Sequence, residues 1–183
     1  MEKELDEASY ALYTELKRCL RERDFKAFEI VVGEARQISK TLGKSPLCLI
    51  NKVADICEAD GKNISHLAAI IAVQEEDPRF FIRLLELRFP LYSADHDLDY
   101  PAFILCGIEN DSKFLTTYYA LIDAGFDMNF PNPDGLTFLQ KLIITSEHLS
   151  MNKITGILNT RPNLTSENLA EIEAKVAFSW VRT

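Results

Sequence analysis

Leu121-Ile122-Asp123-Ala124-Gly125-Phe126-Asp127-Met128-Asn129, followed by Asn132-Pro133-Asp134-Gly135-Leu136-Thr137, is the stretch on which the fold of this chain turns. An apolar helical run from Phe114 to Ala124 is closed by Gly125, as a left-handed C-terminal cap closes a helix. A turn follows, and then a second apolar run from Thr137 to Ile144. Asp60, Asp97 and Asp134 each stand just before a short polar-to-apolar transition, and consecutive members of this set are 37 residues apart. The same offset of 37 relates Leu84-Leu85 to Leu121-Ile122. Two landmarks that keep one period are hard to obtain by chance, so the chain is expected to repeat.

Each period contains a turn, a short apolar helix, a polar break and a second helix. The first has Asp60-Gly61, Ile64 to Ala72, then Asp77-Pro78 as cap and first helical residue, then Phe80 to Leu87. The second has Pro101 to Ile108, the break Glu109 to Ser112, then Phe114 to Ala124. The third has Thr137 to Ile144, the break Ser146 to Ser150, then Met151 to Asn159. A lone helix pair of this kind cannot bury its apolar face, so neighbouring units must stack.

On these residues the sequence resembles the ankyrin repeat, whose pattern is roughly D-x-x-G-x-T-P-L-H-x-A-A, then a second helix ending L-L-x-x-G-A-D-V-N. The stretch Leu121 to Asn129 and Asp134 to Thr137 is the fullest match; Asp60-Gly61, His66 and Ala68-Ala69 supply the first unit. The second keeps Pro101, while Leu98 stands for the glycine, Phe103 for the histidine and Leu105-Cys106 for the alanine pair. The resemblance covers about residues 59–165. It implies an all-α, helix-turn-helix solenoid of three repeats, at about 59–95, 96–132 and 133–165. The family period is about 33 residues. The extra residues are most simply placed in the polar breaks, whose loops should then protrude.

Residues 1–58 read as an N-terminal helical segment that covers one end of the stack, either as a cap alone or with a decayed repeat. Its apolar stripes are Leu5, Ala8, Leu12, Leu16, Cys19 and Leu20, then Phe28, Val31, Val32, Ala35, Ile38 and Leu42 before Gly43. A third helix is expected to start at Ser45-Pro46 and bury Leu47, Ile50, Val53, Ala54 and Cys57. At the far end, residues 166–183 are expected to cap the stack with a helix from Glu167 to Val181, carrying Leu169, Ile172, Val176 and Trp180 on one side.

A net charge of −8 argues against nucleic acid and for a neutral or basic protein partner. The one basic-looking run, Lys17-Arg18 with Arg21 and Arg23, alternates with Glu15, Glu22 and Asp24 and reads as a solvated helix face. The four cysteines make no C-x-x-C pair, no histidine has metal-ligand spacing, and seven glycines form no phosphate loop. No catalytic set, metal or cofactor is therefore expected. No apolar window approaches the roughly 18 residues of a membrane span, and the charged start Met1-Glu2-Lys3-Glu4 is no signal peptide. An intracellular setting follows, in cytoplasm or nucleus, or in a host cytoplasm if the chain is an effector of an intracellular microbe. A third alternative is the recognition fragment of a larger enzyme or scaffold.

The resemblance implies binding by hairpin tips and first helices. Carried over by position, the tips are Asp60 and Lys62, then His96, Asp97 and Asp99, then Pro133, Asp134 and Leu136. The positions after the alanine pair are Ile70-Ile71, Gly107-Ile108 and Ile144-Thr145. Either one isoleucine per unit faces outward and forms an aliphatic strip, or a small helix rotation turns them into core. The acidic tip Asp95-Asp97-Asp99 either meets a partner or only caps its turn. His66 is expected to bridge backbone groups, His96 to contact a partner, and His148 to be solvated.

Overall fold

The computed structural model describes residues 2–146, 149–160, 162, 169–170 and 172–174. They are mostly helical, and among them the only extended pairing is one antiparallel bridge between Cys57 and Asn63.

Helices α1 (Glu2–Glu22), α2 (Phe25–Thr41) and α3 (Cys48–Ala54) form the N-terminal segment and pack on one another. Asp24 accepts the Ala27 N–H at 2.8 Å and so starts α2 after a break of two residues. The inward stripe of α2 is Phe28, Val32, Ala35 and Ser39; Ile38, expected inside, is exposed. Ser39 takes the inner place because its Oγ accepts the Leu49 N–H from α3 at 3.2 Å. Helix α3 begins at Cys48 and not at Ser45-Pro46, since the Ser45 carbonyl closes a turn onto the Cys48 N–H. Cys57, expected to be buried by α3, is exposed beyond its end.

Three helix pairs follow. They are α4 (Ile64–Gln74) with α5 (Arg79–Glu86), α6 (Pro101–Ile104) with α7 (Asp111–Asp123), and α8 (Phe138–Thr145) with α9 (Met151–Leu158). A 3-10 turn, Leu105–Gly107, prolongs α6. Helix α4 packs on α6, and α6 with its 3-10 turn on α8; α5 packs on α7 and α7 on α9. First helices thus make one row and second helices another. Helix α1 extends the first row by packing on α4, while Phe25 and Phe28 of α2 meet the Phe80 ring of α5 edge-on at 5.2 and 5.3 Å. The N-terminal pair therefore occupies the place of a further unit, although its sequence lacks the turn landmarks.

The 37-residue spacing recurs in the backbone. The residues capping the first helices are Asn63, Tyr100 and Thr137. In the turn before each, an N–H reaches a carbonyl four residues on, from Glu58 to Lys62, Asp95 to Asp99 and Asn132 to Leu136. Left-handed φ values fall at Gly61 (81°), Leu98 (62°) and Gly135 (80°). The spacing holds again at the ends of α5 and α7, where Arg88 and Gly125 have φ of 62° and 88°.

The added length does not sit in the breaks. Those between paired helices are short, residues 75–78 and 108–110, and their polar side chains are used as caps, with Asn110 accepting the Lys113 N–H at 3.0 Å. The long segments are the connections between units, residues 87–100 and 124–137. The expectation of protruding inter-helix loops is thereby overturned for the first two units. The third break includes Glu147 and His148, which lie outside the described residues.

Of the expected terminal helix, residues 169–170 and 172–174 are helical, and Ile172 is buried against Leu139, Leu142 and Ile157. Leu169, expected on the same buried side, is exposed, and Val176 and Trp180 lie outside the described residues.

Leu98 is a leucine where the equivalent turns carry glycine, and a Cβ in the left-handed region costs about 1–2 kcal/mol. Its side chain is 41% exposed, so little packing is lost with it. Leu98→Gly is expected to raise stability by up to about 1 kcal/mol, visible as a higher urea midpoint. A lowered midpoint would mean that the leucine side chain holds the turn.

Candidate interaction surface

The three turns are tied to each other as well as closed within themselves. Asp95 and Asn132 are buried; the Asp95 carboxylate accepts the N–H groups of Asp97 and Asp99 at 3.0 Å, and the Asn132 side chain accepts that of Leu136 at 2.9 Å. Between units, the His96 N–H donates to the Asp60 carbonyl at 3.0 Å and the Asn132 amide to the Leu98 carbonyl at 3.3 Å. For Asp95, the capping alternative is therefore the one seen.

The tip residues divide by what already holds them. Lys62 Nζ lies 3.2–3.4 Å from the carboxylates of Asp60, Asp95 and Asp97. Partial burial opposes its charge, but the hydrogen bonds it donates to Asp60 and Asp97 and the field of Asp95 raise its pKa above the ordinary lysine value. The Lys62 N–H and ammonium in turn hold the Asp60 carboxyl below the usual range. Lys141 lies 2.9 Å from both carboxylate oxygens of Asp99. Lys62 thus stitches the first turn to the second and Asp99 ties the second turn to α8, so both offer little to a partner. His96, Asp97, Leu98, Pro133 and Asp134 are exposed, as is Asp60, and Leu136 is half-buried.

The isoleucine strip is broken. Ile144 is 62% exposed and Ile70 and Ile71 are half-buried, but Ile108 is 0% exposed and is removed from the surface. After one turn of α6 the chain tightens into the 3-10 turn and then extends at Ile108, which rotates this side chain inward. Lys153, itself buried, fixes the rotation by donating to the Ile108 carbonyl at 2.6 Å.

Ile70 and Ile71 belong instead to a cleft of about 610 Å³ between α1 and α4. It is lined by Leu20, Leu67, Ile70 and Ile71 together with basic Lys17, Arg21 and Arg23 and acidic Glu58, Asp60 and Glu75. Lys17 pairs with Glu58, which also accepts from the Tyr13 hydroxyl, and Arg23 pairs with Glu75. The Lys17 hydrogen bond, then that of Tyr13, hold the Glu58 carboxyl below its ordinary value. The basic run is solvated at Arg18, Arg21 and Arg23, which are exposed, and half-buried at Lys17. Arg18 is solvated and pairs with Glu15 and Glu22, whereas Lys17 and Arg21 sit with Leu20 on the cleft side. Their three- and four-residue spacing was the available signal.

His66 does bridge backbone groups. Its Nδ1 accepts the Asn63 N–H at 3.2 Å, which leaves the proton on Nε2, 3.2 Å from the Asp99 carbonyl of the next unit. Gln140 repeats the first half of this device, accepting the Thr137 N–H at 2.8 Å. Burial pushes the His66 pKa down. The unfolded chain takes up a proton near pH ~6.5 that the folded chain refuses, so this stability is complete above that pH and is lost as pH falls toward the folded pKa. His66→Gln is expected to flatten the loss of urea stability between pH 7 and pH 5.5, and an unchanged slope would contradict it.

Cys106 is buried, and burial pushes its thiol up; Cys57 is exposed, and all four cysteines are free. Among the described residues no three His, Cys, Asp or Glu groups converge to hold a metal ion, and no helix is long and apolar enough to cross a membrane. Compared with known proteins, the chain matches no family model and no curated protein.

Proposed function

We propose that this chain is an ankyrin-type repeat module that binds a protein partner through its hairpin tips and first-helix row, acting by occupancy as an adaptor or inhibitor. The observation that supports this reading most is the 37-residue recurrence of one turn, one left-handed position and one helix start across units whose helices pack in two rows. Stacked units of this kind place equivalent positions side by side along a continuous surface, which suits a partner larger than a small molecule. The exposed tip residues are Asp60, His96, Asp97, Leu98, Pro133 and Asp134. Their mixture of carboxylates with apolar Leu98 and Pro133 favours a neutral or basic protein surface with some apolar character.

The test compares the wild-type chain with an Asp97→Ala, Leu98→Gly, Asp134→Ala variant as bait in cell lysate. A protein retained by the wild type and lost by an equally stable variant supports the reading. A partner retained equally by both baits contradicts recognition at the tips.

A further inference from the structure

The long connections that carry the second and third turns also bring two aromatic rings together at the surface. Tyr92 from the first connection and Phe130 from the second meet at 4.8 Å, and they stay 40% and 45% exposed. Buried Phe126 stacks on Tyr92 at 5.2 Å, and buried Tyr100 lies 5.7 Å from Tyr92 and 6.2 Å from Phe130. The Tyr92 hydroxyl is fixed as well, since it accepts the Asp127 N–H at 2.7 Å. Rings held this way from within lose little freedom when something docks on their exposed side.

The charge around them is one-sided. Residues 87–100 and 124–137 contain Asp95, Asp97, Asp99, Asp127 and Asp134 against a single cation, Arg88. Arg88 lines the hollow between α5 and α7 together with Glu86 and Asp123. Lys62 and Lys141, which reach the turns from outside, are already held by Asp60, Asp95 and Asp97 and by Asp99. Asp127 and Asp134 are exposed, and among the described residues neither has a lysine or arginine within ion-pair distance. Asp127 adjoins both rings, because its carbonyl accepts the Phe130 N–H at 3.0 Å while its own N–H is on Tyr92.

We infer that Tyr92, Phe130 and Asp127 form the contact for an arginine of the protein partner, its guanidinium lying on the aromatic pair and meeting the Asp127 carboxylate. The inference rests on the protein-binding reading above and names the side chain that the partner presents. A guanidinium can lie flat on a ring while its edge N–H groups meet a carboxylate, whereas an ammonium offers no plane to stack. The chain itself contains this arrangement: the Arg79 guanidinium is 5.2 Å from the Phe25 ring and donates to both Asp77 oxygens at 2.8 Å. At Tyr92 and Phe130 the rings and the carboxylate are present and the cation is not. An acidic segment or a nucleic-acid strand would meet like charge here, and a purely aliphatic one would cover Asp127 without pairing it.

The probe is the peptide acetyl-Gly-Ala-Arg-Ala-Gly-amide, titrated into the full chain carrying labelled phenylalanine and tyrosine rings and followed by NMR. A lysine peptide of equal charge is the control, which cancels the general attraction of a chain of net charge −8. Tyr10, 66% exposed on α1, is the reference ring. The Phe130 and Tyr92 signals are expected to move with the arginine peptide while Tyr10 stays still, and the lysine peptide should bind roughly threefold more weakly. Phe130→Leu keeps an apolar side chain without a π-face and should abolish that preference. Asp127→Asn keeps the acceptor for the Asn129 N–H and should weaken the arginine peptide roughly threefold. Still Phe130 and Tyr92 rings, a Tyr10 shift as large as theirs, a preference that survives Phe130→Leu, or unchanged affinity in Asp127→Asn would each overturn the inference. If the tip variant loses a captured protein while these rings stay still, this inference fails and the tip reading stands. Ring shifts with the arginine peptide, together with capture that the tip variant leaves unchanged, give the converse.

Discussion

Gly61→Ala is expected to destabilise the chain by about 2–5 kcal/mol, whereas Gly135→Ala, at the equivalent position one repeat further than Leu98, should cost only about 1–2. Both glycines have left-handed φ, 81° and 80°, so both substitutions carry the penalty of placing a Cβ there. They differ in what that Cβ meets. At Gly61 it would come within 2.7 Å of His96 Cδ2, 3.0 Å of the His96 nitrogen and 3.2 Å of the Asp95 Cα, while at Gly135 nothing lies within 4 Å. The imidazole can swing aside; the backbone atoms cannot without breaking the His96 N–H bond to the Asp60 carbonyl. The first turn is therefore seated against the second, while the third presents Gly135 to open space. Urea denaturation of both variants checks this, and equal costs would mean that the turns do not touch.

Phe138→Ala should cost about 3–5 kcal/mol. The Phe138 ring is 0% exposed and lies 5.9 Å from Phe103, 6.4 Å from Phe114, 5.7 Å from Tyr118 and 6.3 Å from Phe126, centroid to centroid. These neighbours come from α6, α7 and the connection after α7, so one side chain joins the second unit to the third. Its removal leaves a cavity that four rings from different elements cannot all close. Phe130 is a built-in comparison: it is 45% exposed and packs mainly on Tyr92 at 4.8 Å and Tyr100 at 6.2 Å. Phe130→Ala should cost only about 0.5–1.5 kcal/mol, the value of an aromatic contact at the surface. Thermal or chemical unfolding of the two variants separates them, and similar losses would contradict the central placement of Phe138.

The repeat was legible because its signals are local. A turn that needs Asp, Gly and a polar cap carries that need in the same few residues, so Asp60-Gly61, Asp97 and Asp134-Gly135 marked the period without any tertiary knowledge. His66 was legible for the same reason. Ile108 was not, because its burial depends on α6 tightening after one turn, and nothing in Pro101 to Ile108 distinguishes that from a continued helix. Ile38 failed similarly, since the rotation of α2 is decided by Ser39 reaching Leu49. The cleft was least accessible. It juxtaposes Arg21 with Ile70 and Ile71, about fifty residues away in sequence, and only the packing of α1 on α4 brings them together.

Recognition of a protein through the turns and first-helix row is the central claim, and site-specific photo-crosslinking addresses it most directly. A benzoylphenylalanine in place of Leu98, or of Ile30 on α2 in the other row, would be activated in cells that express the chain. The account predicts one protein adduct from position 98 and none from position 30. Adducts of equal yield from both positions, or from position 30 alone, would contradict it.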